Sequence, residues 1–184
     1  MQKMLLHQEG FHGTTGPIIP KKKAKLRFED FLNFFPPVEL PLSISSDTEK
    51  LISEAHEPLN AAWMYEFVLE YGEELDEFTE FMPCFCLAQS EQFIGLVYWQ
   101  ASLEGSAYFL ATFSPAGHII DHKILAGTLY LEDGIKQMVC TVAKDWSIQR
   151  VEGQIDAQGQ LLKENTTQSK RLQITLDGEI LEDV

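Results

Sequence analysis

The sequence predicts an α+β fold, in which short N-terminal helices pack on an antiparallel, meandering β-sheet of about six to eight strands. Two changes of pattern along the chain carry this prediction. Before residue 81, apolar side chains recur at the spacing of one helix face. After Pro83, short segments rich in β-branched and aromatic residues alternate with glycine-containing turns, which is typical of sequential antiparallel strands. The 184 residues are enough for one domain with a substantial core.

The predicted domain covers residues 28–184, with a helical part over 28–81 and a β-meander part over 83–182. Residues 1–27 differ, because they contain several glycines and prolines and end in the basic run KKKAKLR without a clear period. We interpret this segment as a flexible, partly basic arm. Contact of the basic run with an anionic site is the alternative interpretation.

Three short helices are predicted in the helical part. The first carries apolar residues at positions i, i+3, i+4 and i+7 and ends before Pro36, because proline disfavours a helical conformation in the residue before it. These apolar residues are Phe28, Phe31, Leu32 and Phe35. A capping box over 46–49 begins the second helix. The third runs over about 60–71, where Gly72 can end it.

The strand segments follow from alternation and turn residues. VELPLSI alternates apolar and polar residues, and Pro41 confines this extended segment to a sheet edge because proline has no N–H to donate. The later strands lie in QFIGLVYWQASL, SAYFLATF, HIIDHKILA, IKQMVCTVA, WSIQRVEG and KRLQITL.

One turn pattern recurs between these strands, with a short polar turn and a glycine between apolar residues. It is found in FSPAGHII, IDAQGQLL and TLDGEIL and, more loosely, in LEDGIKQ. Glycine suits a tight hairpin because a positive φ angle costs it little. We therefore predict that Ser114–Gly117 is a hairpin turn and that His118 begins the returning strand.

The blocks PCFCL, LVYW, LATF and IIDHKILAGT, in this order, resemble an uncharacterised bacterial protein family over roughly residues 80 to 150. The resemblance implies a bacterial origin. It implies no activity, cofactor or site residue, so the functional interpretation depends on the residues themselves.

The formal net charge of −14, from 28 acidic and 14 basic residues, limits the classes of partner. Such a surface repels phosphate backbones, so we expect no binding to nucleic acid. We expect no membrane span either, because no run approaches the ~18 apolar residues that a span requires. The N-terminus lacks the apolar stretch of a secretory signal, which predicts a cytoplasmic protein. The oligomeric state is left open.

An acidic run between residues 66 and 80 is the strongest candidate for a binding site. It contains no basic residue, and like charges at i and i+4 on a helix repel one another. A chain that keeps this repulsion is suited to a basic protein, although a solvated helix face also explains the pattern. The candidate partner-binding residues are Glu66, Glu70, Glu73, Glu74, Asp76, Glu77 and Glu80.

His118, Asp121 and His122 would need to converge in order to bind a metal ion. In a strand, two histidines four residues apart are separated by roughly 13 Å. Asp121 would point to the opposite face, because side chains alternate. We therefore predict no metal site here.

The three cysteines are Cys84, Cys86 and Cys140. The C-x-C spacing predicts that Cys84 and Cys86 share one strand face. The spacings usual for structural zinc are absent, and free cysteine behaves as a small apolar residue, so we expect all three in the core. No catalytic residue and no cofactor is predicted, because the common nucleophile, phosphate-binding and dinucleotide-binding motifs are missing.

The leading functional hypothesis is a small, acidic protein-interaction module that binds a basic partner, for example in the manner of an immunity protein or an inhibitor. The first alternative is an enzyme or a small-molecule carrier that uses an aromatic-lined groove on the sheet. The second alternative is a structural domain with no site of its own.

Overall fold

The computed structural model describes residues 26–45, 48, 57–69, 75–132, 134–156 and 167–183. Within these residues the chain forms two short helices and nine strands. They are α1 (Phe28–Leu32), β1 (Leu42–Ile44), α2 (Ala61–Phe67), β2 (Glu80–Gln89), β3 (Ile94–Ser102), β4 (Gly105–Phe113), β5 (Ile119–Leu131), β6 (Gly134–Val142), β7 (Ser147–Ile155), β8 (Gln168–Ile174) and β9 (Ile180–Asp183). The α+β class is confirmed, with a small helical share. Neither of the two helices has the length and apolar character needed to cross a membrane.

Eight of the strands form one antiparallel meander, because each pairs with its neighbour in sequence from β2 to β9. β1 joins the same sheet out of order, beside β6. The meander is confirmed, and the predicted number of six to eight strands is too low by one. β2 begins at Glu80, so the last two residues of the predicted helical part belong to the sheet.

β5 is the longest strand and connects two parts of the sheet. Its first residues pair with β4, and its last residues, Gly127–Leu131, pair also with β6. We call β2, β3, β4 and the beginning of β5 the first half-sheet. The end of β5 together with β6–β9 is the second half-sheet.

The two half-sheets face each other, and side chains from both fill the space between them. β5 crosses the strands of the second half-sheet. The Asp121 carboxylate accepts a hydrogen bond from the backbone N–H of Ile180 in β9 at 2.8 Å. Three residues later, the carbonyl of Ile124 accepts one from Arg150 in β7 at 2.7 Å. The step from Asp121 to Ile124 measures ~10 Å along β5, and the step from β9 to β7, which is two strand spacings, also measures ~10 Å. β5 therefore lies at a steep angle to these strands.

A second core cluster lies on the other side of the first half-sheet, beneath α1 and α2. Phe28 and Phe31 of α1 and Met64 of α2 are buried there against the sheet. The predicted apolar face of the first helix is confirmed for Phe28 and Phe31, whereas Leu32 is only partly buried. α1 ends at Leu32, earlier than predicted, so Phe35 is buried beyond the helix.

α2 begins after Asn60, whose side-chain oxygen accepts a hydrogen bond from the backbone N–H of Ala62 at 2.9 Å. The predicted start of this helix is therefore confirmed. It ends at Phe67, about one turn earlier than predicted. The helix predicted from the capping box over 46–49 lies outside the described residues except for residue 48, and so does the arm over 1–27 except for its last two residues.

The predicted hairpin turn at Ser114–Gly117 is confirmed. The N–H of Gly117 donates to the Ser114 carbonyl at 2.9 Å, and the φ angle of Gly117 is 85°. A Cβ atom at this position would lie 2.6 Å from Cγ of Phe28, so both the conformation and the packing require glycine. The returning strand begins at Ile119, one residue later than predicted. The same hydrogen-bond pattern recurs at Thr175–Gly178, as the sequence predicts.

Candidate functional site

The second half-sheet buries two charged residues on its inner face, Arg150 and Glu152 of β7, which are 7% and 6% exposed. Arg150 Nη2 donates to Glu182 Oε1 at 3.1 Å, and Arg150 Nε lies 3.5 Å from Glu152 Oε2. Lys136 and Lys170 each place Nζ 3.3 Å from Glu152 Oε1. We call these five residues the inner ion-pair cluster.

The inner ion-pair cluster favours the charged forms of Glu152 and Lys170. Desolvation opposes ionisation of Glu152, but the nearby Lys136 and Lys170 outweigh it and hold the pKa of Glu152 below its ordinary value. Hydrogen bonds to Glu182 and Glu152 raise the pKa of Lys170. Both shifts favour the charged forms, so these groups are suited to holding strands together and not to exchanging a proton near neutral pH.

The described exterior is strongly acidic, and three of the described basic residues lie in the inner ion-pair cluster. Among the residues that the structure describes, fifteen acidic residues are exposed, against three basic ones: Arg27, Lys144 and Arg171. Arg27 is itself paired with Glu29 and Asp30. The fifteen are Glu29, Asp30, Glu39, Glu57, Glu66, Asp76, Glu77, Glu80, Glu91, Glu104, Glu132, Asp145, Asp177, Glu179 and Glu182.

Carboxylates and exposed apolar side chains meet at the end of the first half-sheet that contains the β3–β4 turn. Asp76 Oδ2 accepts a hydrogen bond from the backbone N–H of Leu103 in this turn at 3.3 Å. Asp76 Oδ1 accepts one from the backbone N–H of Phe78 at 2.8 Å and one from Thr79 Oγ1 at 2.9 Å. Phe78 is 58% exposed and Leu103 is 67% exposed. We define the acidic end as Asp76, Glu77, Phe78, Glu80, Leu103 and Glu104.

The hydrogen bonds of Asp76 also favour its ionised form. Desolvation opposes its ionisation, but hydrogen bonds from Thr79, Leu103 and Phe78 outweigh this effect and hold the pKa of Asp76 below its ordinary value. Asp76 therefore joins the segment before β2 to the β3–β4 turn and remains an anion at neutral pH.

The structure separates the predicted acidic residues into groups. Glu66 lies in a groove beside Gly117, near the end of β4 that is opposite to the acidic end. The length of β4 puts roughly 27 Å between these two places. Asp76, Glu77 and Glu80 belong to the acidic end, whereas Glu70, Glu73 and Glu74 lie outside the described residues.

α2 ends at Phe67, so Glu66 lies in its last turn, and Glu70, its predicted neighbour on the helix face, lies outside the described residues. The contribution of any of these residues to partner binding stays a prediction.

Sequence patterns do not single out Phe78, Leu103 or Glu104. For Leu103 a signal exists: β3 ends at Ser102 and β4 begins at Gly105, so SLEG is a two-residue hairpin turn. A leucine at the tip of such a turn cannot reach the core and must be exposed. Phe78 carries no such local signal, because its exposure depends on the long-range bond between Asp76 and Leu103.

His118, Asp121 and His122 do not converge on a common point. His118 is exposed in the turn before β5, and Asp121 accepts hydrogen bonds from backbone N–H groups, including that of His122. His122 Nε2 is hydrogen bonded to Tyr98 Oη at 2.6 Å, and its ring stacks on Phe109. Burial lowers the pKa of His122. Across the described part of the chain, no three His, Cys, Asp or Glu residues are arranged to bind a metal ion.

Cys84 and Cys86 lie on opposite faces of β2, so the predicted common face is wrong. Cys84 is buried together with Cys140 between the half-sheets, whereas Cys86 packs against the cluster beneath the helices. The cause is a register shift between Pro83 and Phe85, which interrupts the alternation of side chains. Burial raises the pKa of Cys140 to about 12 and also raises those of Cys84 and Cys86. All three thiols are therefore protonated and unreactive at neutral pH.

The first half-sheet is covered on both faces, by the helices on one side and by the second half-sheet on the other. A small cleft of about 150 Å³ lies beside α1 and includes Cys86 and Leu96. A wider cleft of about 420 Å³ lies between Trp146 and Leu176, at the β6–β7 and β8–β9 turns. The residues that line these two clefts do not combine a nucleophile with a histidine or another base in hydrogen-bond contact.

Comparison of the chain with protein-family profiles, curated proteins and solved structures finds no match, so any function must be inferred from the chemistry of its own residues. The acidic end combines concentrated charge with exposed apolar side chains. This combination is typical of surfaces that bind other proteins.

Proposed function

We propose that this domain is a protein-interaction module that binds a positively charged protein through its acidic end. The observation that carries the proposal is the exposure of Phe78 and Leu103 among four carboxylates, fixed by the hydrogen bonds of Asp76. Apolar side chains at the centre of an interface supply most of its affinity, and charges around them select the partner. A basic protein that contributes an apolar contact fits both features.

The rest of the exterior supports the same class of partner. Fifteen exposed acidic residues against three exposed basic ones give a negative potential over the described surface, which attracts a basic protein before contact. Inhibition or neutralisation of a basic enzyme is one concrete form of this function. Because exposed charges are screened by salt, the complex is expected to weaken as ionic strength rises.

The proposal is tested by affinity capture from a lysate of the source organism at 50 and 500 mM NaCl, followed by titration of the captured protein in purified form. The variant Glu77→Gln/Glu80→Gln/Glu104→Gln removes three charges of the acidic end while preserving side-chain size. We expect this variant to bind the partner at least about tenfold more weakly at 50 mM NaCl, because each charge near an interface contributes a fraction of the attraction.

A matched variant, Glu57→Gln/Glu91→Gln/Glu179→Gln, removes three exposed charges elsewhere on the molecule. It should weaken binding by about twofold or less, because charges distant from a contact are screened. Equal losses of affinity in both variants would show that only the total charge matters and would contradict binding through the acidic end. Failure to capture any salt-sensitive partner would contradict the proposed function.

A further inference from the structure

The outer face of the second half-sheet is nearly uncharged, in contrast to the rest of the exterior. It consists of seventeen positions: the odd-numbered residues of β6–β9 together with Ser43, Thr128 and Tyr130. We call it the neutral face. Among its residues whose side chains the structure describes, Arg171 is the charged one. None of the fifteen exposed acidic residues lies on this face.

Two rows of apolar residues cross the neutral face. Tyr130 is paired with Ile135, which is paired with Ile155 on the next strand. Val139 is paired with Val151 near the middle of the face, and Tyr130 and Val151 are 60% and 39% exposed. The described helices cover only the first half-sheet, so these rows have no covering layer among the described residues.

Four polar residues of the neutral face bond to each other in two pairs. The hydroxyl groups of Ser43 and Thr141 are hydrogen bonded at 3.1 Å, and Gln149 Nε2 donates to Ser169 Oγ. Groups that already have a partner lose less when water is removed from them. These four side chains can therefore be covered with little loss of hydrogen bonding.

We propose that the neutral face is a self-association surface, at which two copies of this chain pack with their sheets face to face. Each copy carries a net charge of −14, so most approaches bring exposed carboxylates of both copies together. Contact through the neutral face keeps the exposed carboxylates of the two copies apart. A basic partner gains no attraction from an uncharged face, so a second copy is the occupant that the charge distribution favours.

The geometry of such a dimer follows from the symmetry of a contact between identical faces. A two-fold axis near Val151 would place this residue against its equivalent in the second copy, because an isologous contact pairs identical surfaces. Seventeen positions are fewer than the roughly 20–30 residues per side of a standard interface. The dimer is therefore expected to be weak, with a dissociation constant in the micromolar range.

The dependence on salt concentration distinguishes this self-association from the proposed binding of a basic protein. Screening reduces the repulsion between two acidic copies while leaving apolar contact intact, so the dimer should be about fivefold tighter at 300 mM than at 50 mM NaCl. Binding of a basic partner has the opposite dependence. Failure of one proposal therefore leaves the other testable.

The test is sedimentation velocity of the full chain from 1 to 200 µM at both salt concentrations. The wild type should shift toward a dimer of the 20.9 kDa chain as concentration rises. Val151→Arg and Val151→Glu should both stay monomeric at 200 µM, because each buries a charge in the contact. The control Tyr65→Glu alters an exposed side chain of α2, which covers the first half-sheet, and should dimerise like the wild type.

Circular dichroism of the two Val151 variants establishes that they are folded. A wild type that is monomeric at 200 µM in 300 mM NaCl would overturn the proposal and would mean that something other than a second copy covers the face, or nothing does. A dimer that persists in both Val151 variants, or that weakens with salt, would overturn it as well, because the contact would then lie elsewhere.

Discussion

At the scale of single residues, Trp146 occupies a position where glycine is expected. The turn at Ala143–Trp146 has the same hydrogen bonds as those that end in Gly117 and Gly178, and the φ angle of Trp146 is 63°. A left-handed conformation costs a non-glycine residue about 1–2 kcal/mol. The indole ring meets Phe93 edge to face at 5.2 Å, so packing at the end of the core offsets this cost.

This balance predicts an unusual order of stability for two substitutions. Trp146→Gly and Trp146→Ala both lose the contact with Phe93, and both should be less stable than the wild type by about 2 kcal/mol or more. Trp146→Gly should nevertheless be more stable than Trp146→Ala by about 1 kcal/mol, because only glycine accepts the φ angle without strain. Urea unfolding of the three proteins measures this difference. An alanine variant as stable as the glycine variant would show that the turn does not hold this conformation.

At the scale of elements, an irregularity in β5 creates the attachment point for β7. The register between β4 and β5 shifts beside Leu125, an inserted residue that has no direct partner opposite it. The carbonyl of Ile124, just before the insertion, accepts the hydrogen bond of Arg150. The inner ion-pair cluster thus connects the half-sheets at the place where β5 departs from regular pairing.

The cluster should give the protein a characteristic acid sensitivity through Glu152. Its pKa in the folded state lies below the ordinary value of 4.5, so its contribution to stability is complete above pH 4.5 and is lost as pH falls through the folded-state value. Glu152→Gln should lower the free energy of unfolding at pH 7 by about 1–3 kcal/mol, because the neighbouring cations lose their counter-charge.

Urea titrations between pH 7 and pH 3 measure this effect. The difference between wild type and Glu152→Gln should be constant from pH 7 to about pH 5 and should shrink below pH 4.5. Glu179→Gln, at the exposed β8–β9 turn, serves as the control and should follow the wild type closely. A difference in the free energy of unfolding that grows as pH falls would contradict the assignment of a charged Glu152 in the folded protein.

The elements that sequence patterns predict well are those with a local cause. The hairpin at Ser114–Gly117 and the helix start at Asn60 follow from side chains within a few residues of each other. The faces of Cys84 and Cys86 were assigned by regular alternation, which the bulge after Pro83 interrupts. Bulges, and long-range bonds such as that between Asp76 and Leu103, depend on partners distant in sequence, so no local pattern reveals them. The acidic end could thus be predicted only in part.

At the scale of the whole molecule, charge is divided by location. Of the seven basic side chains that the structure describes, three lie in the inner ion-pair cluster, whereas acidic side chains cover most of the described exterior and the neutral face carries almost no charge. Repulsion among exposed carboxylates opposes the compact state, because unfolding allows like charges to move apart. The net charge therefore lowers the stability of the folded chain, and any condition that reduces this repulsion should raise its stability.

Thermal unfolding in NaCl tests this expectation for the whole molecule. Screening acts more strongly on exposed charges than on the buried pair of Arg150 and Glu152. At pH 7.5 the midpoint temperature of Val151→Arg, which is expected to stay monomeric, should rise by about 3 °C between 50 and 500 mM NaCl, equivalent to about 1 kcal/mol for a chain of this size. At pH 5, close to the isoelectric point of 4.7, the rise should be smaller, because fewer net charges repel. A midpoint that falls with salt would show that attraction within ion pairs exceeds repulsion over the exterior, and the charge division described above would then not govern stability.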